Sequence, residues 1–132
     1  MSVHTFTLST KREGFYDITE KVAEAIAKSG AEEGLCLVFC PHTTAAITIN
    51  ENADPDVPAD ILKGLAAAYP DSPAFRHGEG NSPAHLKSTC VGASVTLIIE
   101  GGRPLLGTWQ GVWFCEFDGP RTRHFHVKVL QG

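Results

Sequence analysis

Polar and apolar residues alternate from Val3 to Ser9, with Phe6 and Leu8 on one face, which predicts a strand at a sheet edge. Asp17-Ile-Thr-Glu20 has the form of a capping box, with Asp in the place of Ser or Thr. Ile18, Val22, Ala25 and Ile26 follow at helical spacing, and Gly30 is placed to end the helix. Gly34 to Cys40 is a short, continuous apolar run closed by Pro41, the pattern of a central strand buried on both faces. Ala45, Ile47 and Ile49 then alternate with Thr44, Ala46, Thr48 and Asn50 as another strand. Asp54-Pro55 opens a second helix, to about Ala68, with Val57, Ile61 and Leu65 as its apolar stripe. Tyr69 to Ala74 reads as a loop, and Ala84 to Val91 as a short helix stopped by Gly92. Ser94 to Glu100 is a strand, Gly101-Gly102 a hairpin turn, Leu105 to Phe117 a long strand and Arg121 to Val129 the last one. About three helices without regular β-α alternation give an α+β domain with a mixed, largely antiparallel sheet.

The chain's 132 residues predict one domain over 1–132, long enough to bury a real core. Its 11 Lys and Arg against 15 Asp and Glu leave a net charge of −4 and no basic run, so nucleic acid is not an expected partner. No apolar stretch is long enough to span a membrane, and Met1–Thr10 has no signal-peptide pattern, so a cytoplasmic protein without a membrane role is expected. The four cysteines, Cys36, Cys40, Cys90 and Cys115, lie in or beside apolar runs without a C-x-x-C pair. That pattern predicts free, buried thiols. Cys40 beside His42 suggests a nucleophile, but its place at the end of an apolar run points to an inert thiol.

The chemistry concentrates in Arg76–Lys87, R-H-G-E-G-N-S-P-A-H-L-K, which holds two His, a Glu, an Asn and two Gly and little that a core would use. Ser82 can cap the helix that follows and Pro83 suits its first position. A glycine-bearing loop entering a helix favours a phosphate or carboxylate ligand, with Asn81, Ser82, Lys87 and the flanking Arg76 as grips. A polar surface loop is the plain alternative. His77 and His85, joined by His42, with Glu79 nearby, are candidate ligands for a divalent ion, zinc or magnesium. The spacing matches no helical ligand pair, and hydrogen-bonded loop histidines are the competing reading. Asn50, Asn52 and Asp54 close a strand and can contact a ligand or simply form a turn, with Asp54 as a helix cap. Trp109 can stack on a planar ring whose edge Gln110 reads, or fill core. Arg121 and Arg123, on one face just past a turn, can grip an anion as a fork or lie solvated at an edge. His124 and His126 share the opposite face and read as surface or subunit-contact residues. No Walker loop, G-x-S-x-G or dinucleotide fingerprint is present.

Four segments in order, C-P-H-T-T-A-A-I-T-I-N-E-N-A-D-P-D-V, R-H-G-E-G-N-S-P-A-H-L-K, G-R-P-L-L-G-T-W-Q and F-C-E-F-D-G-P-R-T-R, resemble the YjbQ-like family over about Phe6 to Leu130. It is an uncharacterised family also named secondary thiamine-phosphate synthase. The resemblance implies a compact α+β domain, a homotrimer, and an activity joining a pyrimidine diphosphate to a thiazole phosphate with release of pyrophosphate. It implies a site at His42, Thr43, Thr44, Asn50, Asn52, Asp54, His77, Asn81, His85, Lys87, Gly107, Trp109, Gln110, Arg121 and Arg123. In that setting His42, His77 and His85 are the candidate catalytic residues. A subunit-boundary site with Arg121 and Arg123 from a neighbour is one version. A metal-dependent phosphate-ester hydrolase and a non-enzymatic trimer that binds small anions are the alternatives.

Overall fold

The computed structural model describes residues 3–132, so Met1 and Ser2, which begin the expected domain and the Met1–Thr10 stretch, lie outside the described residues. The elements in order are β1 (Val3–Ser9), β2 (Gly14–Asp17), α1 (Thr19–Ser29), β3 (Glu33–Phe39), β4 (Ala45–Glu51), α2 (Asp56–Ala68), α3 (Ser82–Val91), β5 (Ser94–Glu100), β6 (Arg103–Pro104), β7 (Gln110–Glu116) and β8 (Thr122–Gln131). They form two sheets, one ordered β1-β8-β3-β5-β6 and the other β2-β7-β4. All the ladders are antiparallel. The fold is α+β as expected, and nothing in the described sheets is mixed.

The two inner sheet faces share one core. Val38, Phe125 and Val127 of the larger sheet meet Ile47, Val112 and Phe114 of the smaller, and Ile18 at the start of α1 with Val22 and Ile26 of the helix fill the space between. Helix α1 begins where Asp17 accepts hydrogen bonds from the Thr19 N–H (3.0 Å) and hydroxyl (2.6 Å). It ends at Gly30, whose φ of 74° is the left-handed cap a glycine takes without steric cost. The other face of the smaller sheet carries Ala46, Cys115 and Phe117 and is covered by α2 and α3 through Leu62, Leu65, Ala84 and Val91. The Gly101-Gly102 turn has φ of 61° and 75°, the primed geometry that matches strand twist.

Three expectations are corrected. Strand β3 is buried on one face only. Leu35, Leu37 and Phe39 lie 46%, 40% and 41% exposed, because an antiparallel sheet in a single chain leaves its outer face uncovered. The long strand from Leu105 breaks up, since Leu105 to Trp109 is the crossover between the sheets and pairing starts at Gln110. Cys90 is exposed, while Cys36, Cys40 and Cys115 are buried and free as expected.

The chain crosses between the sheets at one seam. Residues 40–44 carry it from β3 to β4 and residues 117–121 from β7 to β8, with Ala45 facing Glu116 across the ladder. The start of α3 lies against the same seam, and the candidate site is built there.

Candidate functional site

A buried ion pair staples the seam. Glu116, at the end of β7, is fully buried, and Arg123, at the start of β8, is 4% exposed. The guanidinium grips the carboxylate with two bonds, Nε to Oε1 at 2.7 Å and Nη2 to Oε2 at 2.5 Å. Glu116 also accepts bonds from the Thr10 hydroxyl (2.7 Å) and the Asp118 N–H (2.8 Å). Arg123 also donates to the Thr44 hydroxyl at 2.9 Å. Burial pushes the Glu116 carboxyl up, but Arg123, Thr10 and the Asp118 N–H outweigh it, and the group stays below its ordinary value.

Above this pair opens a cleft of ≈ 390 Å³ whose lining includes His42, His77, Asn81, His85, Arg121 and Arg123. The structure thus brings together the three candidate catalytic histidines, Asn81 at the cap of α3 and both candidate arginines. His77 and His85 lie with ring centroids 5.3 Å apart and planes at 86°. Arg121 donates to Asp118 at 2.9 Å and lies 3.6 Å from Glu79. Asn81 bridges the same two carboxylates, its amide donating to Glu79 at 3.1 Å and Asp118 at 2.8 Å. Burial raises the Asp118 carboxyl, and Asn81 and Arg121 more than reverse it, holding it below the ordinary range.

His42 takes a defined tautomer. Its Nε2 accepts the backbone N–H of His124 at 2.9 Å, so that nitrogen carries no proton and Nδ1–H is left as a donor. Burial, and then the positive charge of Arg123, lower its pKa and keep the ring neutral. Cys40, next to this site, is driven the other way: burial pushes its thiol up to about 11, which makes it the inert cysteine the sequence suggested.

The remaining candidates lie elsewhere. Lys87 is buried, but its Nζ pairs with Glu13 at 2.7 Å and sits 5.9 Å over the Phe117 ring, so it neutralises a carboxylate and carries no free grip. Ser82 is the first residue of α3. Asn81 holds the cap position, and no side chain caps the helix. Arg123 lines the cleft, yet its guanidinium is committed to Glu116, so the expected two-arginine fork reduces to Arg121. Both arginines line the cleft together with the histidines of the same chain. Asn50, Asn52, Asp54, Trp109 and Gln110 gather at the opposite end of β4 and β7, roughly 20 Å away at about 3.3 Å per residue. There the Asn52 amide donates to Asp17 at 3.2 Å, the Asp54 carboxylate accepts the Asp56 N–H at 2.9 Å, and the Gln110 carbonyl accepts the Gly107 N–H at 2.8 Å. Trp109 is 61% exposed, so it is neither core nor a platform for a ligand in the cleft.

Sequence reasoning missed Glu116 and Asp118. The signal for Glu116 was its place in V-W-F-C-E-F. A carboxylate inside a buried run needs a buried cation, and Arg123 is the nearest one on the next strand. Among the described residues, no three His, Cys, Asp or Glu side chains converge to hold a metal ion, and no helix is long and apolar enough to cross a membrane.

Residues 4–132 match the family model described as UPF0047 protein YjbQ-like. The chain is 53% identical over 123 residues to the UPF0047 protein YugU of Bacillus subtilis, covering 92% of this chain and 93% of that one. It is 53% identical over 122 residues to a UPF0047 protein of Methanocaldococcus jannaschii, covering 92% and 88%. The crystal structure of an uncharacterized conserved protein of the YjbQ/UPF0047 family from Clostridium acetobutylicum superposes with a TM-score of 0.94 at 51% identity, over 96% of this chain and 99% of that one. A YbjQ-like protein of unknown function from Sulfolobus solfataricus superposes with a TM-score of 0.94 at 35% identity, over 99% and 97%. The chain belongs to the YjbQ-like UPF0047 family.

Proposed function

We propose that this member of the YjbQ-like family is a transferase acting on phosphorylated small molecules in the seam cleft. The reaction its family resemblance implies is the joining of a pyrimidine diphosphate to a thiazole phosphate. The observation that carries the reading is the convergence of His42, His77, His85, Asn81 and Arg121 in one ≈ 390 Å³ cleft, a size that suits a small ligand. In that reaction the thiazole nitrogen attacks the pyrimidine methylene carbon. The carbon–oxygen bond to the diphosphate breaks, and pyrophosphate leaves with the bonding pair. No proton has to be removed. The site has to supply positive charge or a proton donor at the leaving oxygen. Arg121 suits that task, since its pairs with Asp118 and Glu79 are partly exposed and weak enough to exchange for a phosphate. His77 and His85 stand beside it, and neutral His42 orients a ligand through Nδ1–H. Among the described residues the donors offer an adjacent imidazole pair and no closed metal set, so no step is assigned to a resident ion.

The test is formation of thiamine phosphate from the two precursors by wild type, His77→Ala and His85→Ala, with and without added zinc or magnesium. Turnover lost in both folded variants is the expected result, and no turnover by wild type under any condition overturns the transferase reading. The expected homotrimer draws support from the outer face of the larger sheet, where Leu35, Leu37, Phe39, Ile98 and Leu130 are all at least 40% exposed on adjacent strands. Soluble monomers rarely leave so continuous an apolar patch in water. Light scattering should give three times the chain mass of 14.2 kDa, and a monomer at micromolar concentration removes the trimer. The free thiols suit a reducing compartment, in keeping with a cytoplasmic setting.

A further inference from the structure

Among the described residues, two buried side-chain atoms have no hydrogen-bond partner, Asn81 Oδ1 and Ser88 Oγ. Both belong to α3. With His85 they stand at i, i+4 and i+7, one stripe of one helix face. Each is an acceptor held out of water without compensation, which costs about 1–3 kcal/mol and calls for a reason. The neighbouring face of α3, about a quarter turn round, does the ordinary structural work through Ala84, Lys87 and Val91.

The stripe borders two cavities that share lining residues. The first is the cleft already described, with Arg121, Arg123 and Glu79 in its wall. The second, ≈ 410 Å³, shares His42, Thr43 and His85 with the first as lining residues. Beyond them lie Ser88, Thr89 and Gly92. No Lys, Arg, Asp or Glu lines this second lobe. Ser88 itself is 8% exposed. Gly92 leaves the space beside it open, since a Cβ built there meets nothing within 4 Å. One lobe is therefore charged and the other is polar without formal charge, and neutral His42 stands between them.

We infer that the Ser88 lobe is a separate subsite for the uncharged, hydroxyl- or amine-bearing body of a ligand whose phosphate lies in the Arg121 lobe, with Ser88 as its polar specificity residue. This deepens the reading of the cleft as a site for phosphorylated small molecules and rests on it. A ligand with a neutral donor-bearing body satisfies the Ser88 hydroxyl, and the ester linkage then falls between His42 and His85. Inorganic phosphate fills one lobe only.

Calorimetric titration of the full chain with inorganic phosphate and two hydroxyl-bearing esters, glycerol 3-phosphate and glycerol 2-phosphate, tests this. Both esters should bind at least about tenfold tighter than phosphate, a difference of about 1.4 kcal/mol. Ser88→Ala should remove most of that gain and leave the phosphate Kd within about twofold. Its melting temperature without ligand should hold or rise, because deleting an unpaired buried hydroxyl removes a desolvation cost. Arg121→Gln should weaken all three ligands. Esters that bind no tighter than phosphate, a Ser88→Ala loss shared equally by phosphate, or a fall in the melting temperature of that variant each overturn the subsite. Ester binding as described without formation of thiamine phosphate keeps the subsite and removes the transferase. Turnover by Ser88→Ala with an unchanged KM for the amine-bearing pyrimidine diphosphate does the reverse.

Discussion

Replacing Glu116 with Gln tests the staple beneath the cleft at almost constant shape. Each carboxylate oxygen accepts two bonds: Oε1 from the Thr10 hydroxyl and Arg123 Nε, Oε2 from the Asp118 N–H and Arg123 Nη2. An amide offers one oxygen and one NH2. Whichever way it is turned, a donor faces two donors, and Arg123 keeps its charge with no counter-ion in a site 4% exposed. Removing one partner of a buried pair costs about 3–5 kcal/mol. For a domain of this size that corresponds to a fall in melting temperature on the order of 10–20 °C. The double variant Glu116→Leu with Arg123→Met removes both charges and should recover most of the loss, since a buried pair replaced by apolar groups is often neutral. Thermal and urea unfolding measure both. The direction of the Glu116 shift also sets a pH window. Its folded pKa lies below the ordinary 4.5, so its stabilisation is complete above that value and is lost as pH falls through the lower folded one. The acid limb of the stability curve should therefore flatten in Glu116→Gln. A single-variant loss below about 1 kcal/mol, or a double variant as unstable as the sum of the two singles, refutes the reasoning.

Three further outcomes follow from the same geometry. His42 has its folded pKa lowered from 6.5, so stability it contributes is complete above 6.5 and declines as pH falls below it; histidine NMR should show its ring titrating below that value, with Nδ1–H retained at pH 7, and a midpoint above 6.5 contradicts the assignment. A thiol reagent should modify one cysteine, Cys90, in the native protein and four after denaturation, because Cys36 and Cys40 are buried with thiols pushed up to about 11; fast native labelling of more than one thiol counts against the packing. Gly34→Ala should cost about 3 kcal/mol or more, since its Cβ would lie 1.9 Å from the Leu130 carbonyl oxygen at a φ of 145°, and a chemical-denaturation midpoint close to that of wild type would show that β3 and β8 can separate there.

Local patterns made most of the elements legible and few of their partners. Gly30, Gly92 and the Gly101-Gly102 turn are punctuation that short-range sterics fix, and the structure places each where the pattern did. The outer face of β3 was not legible, because Leu35, Leu37 and Phe39 carry the same apolar signal whether they face a core or open surface. The histidines were recognised as a group by residue type. That His42 neighbours His85 depends on β3 crossing to β4 beside the start of α3, a long-range fact with no local spacing. Lys87 shows the same limit in reverse: on sequence it completes an anion grip, and in the fold one helical face turns it to Glu13 while the next stripe turns His85 to the cleft.

The separation of the motif residues bears directly on the chemistry. A pyrimidine ring stacked on Trp109 in the same chain would sit roughly 20 Å from Arg121, too far for the departing pyrophosphate of one small substrate to reach it. Within one protomer, recognition of a planar ring therefore falls to groups at the seam. The rings available there are His77 and His85, set at 86° to each other, with neutral His42 donating through Nδ1–H at the junction of the two lobes. The cleft's fixed charges are largely balanced before any ligand arrives, with Arg123 held by Glu116 and Arg121 by Asp118. An anionic ligand in the cleft would compete for Arg121 alone and leave the Glu116 staple intact. Anion binding and fold stability are thus carried by different arginines. An anion can therefore exchange at Arg121 without loosening the seam that shapes the cleft.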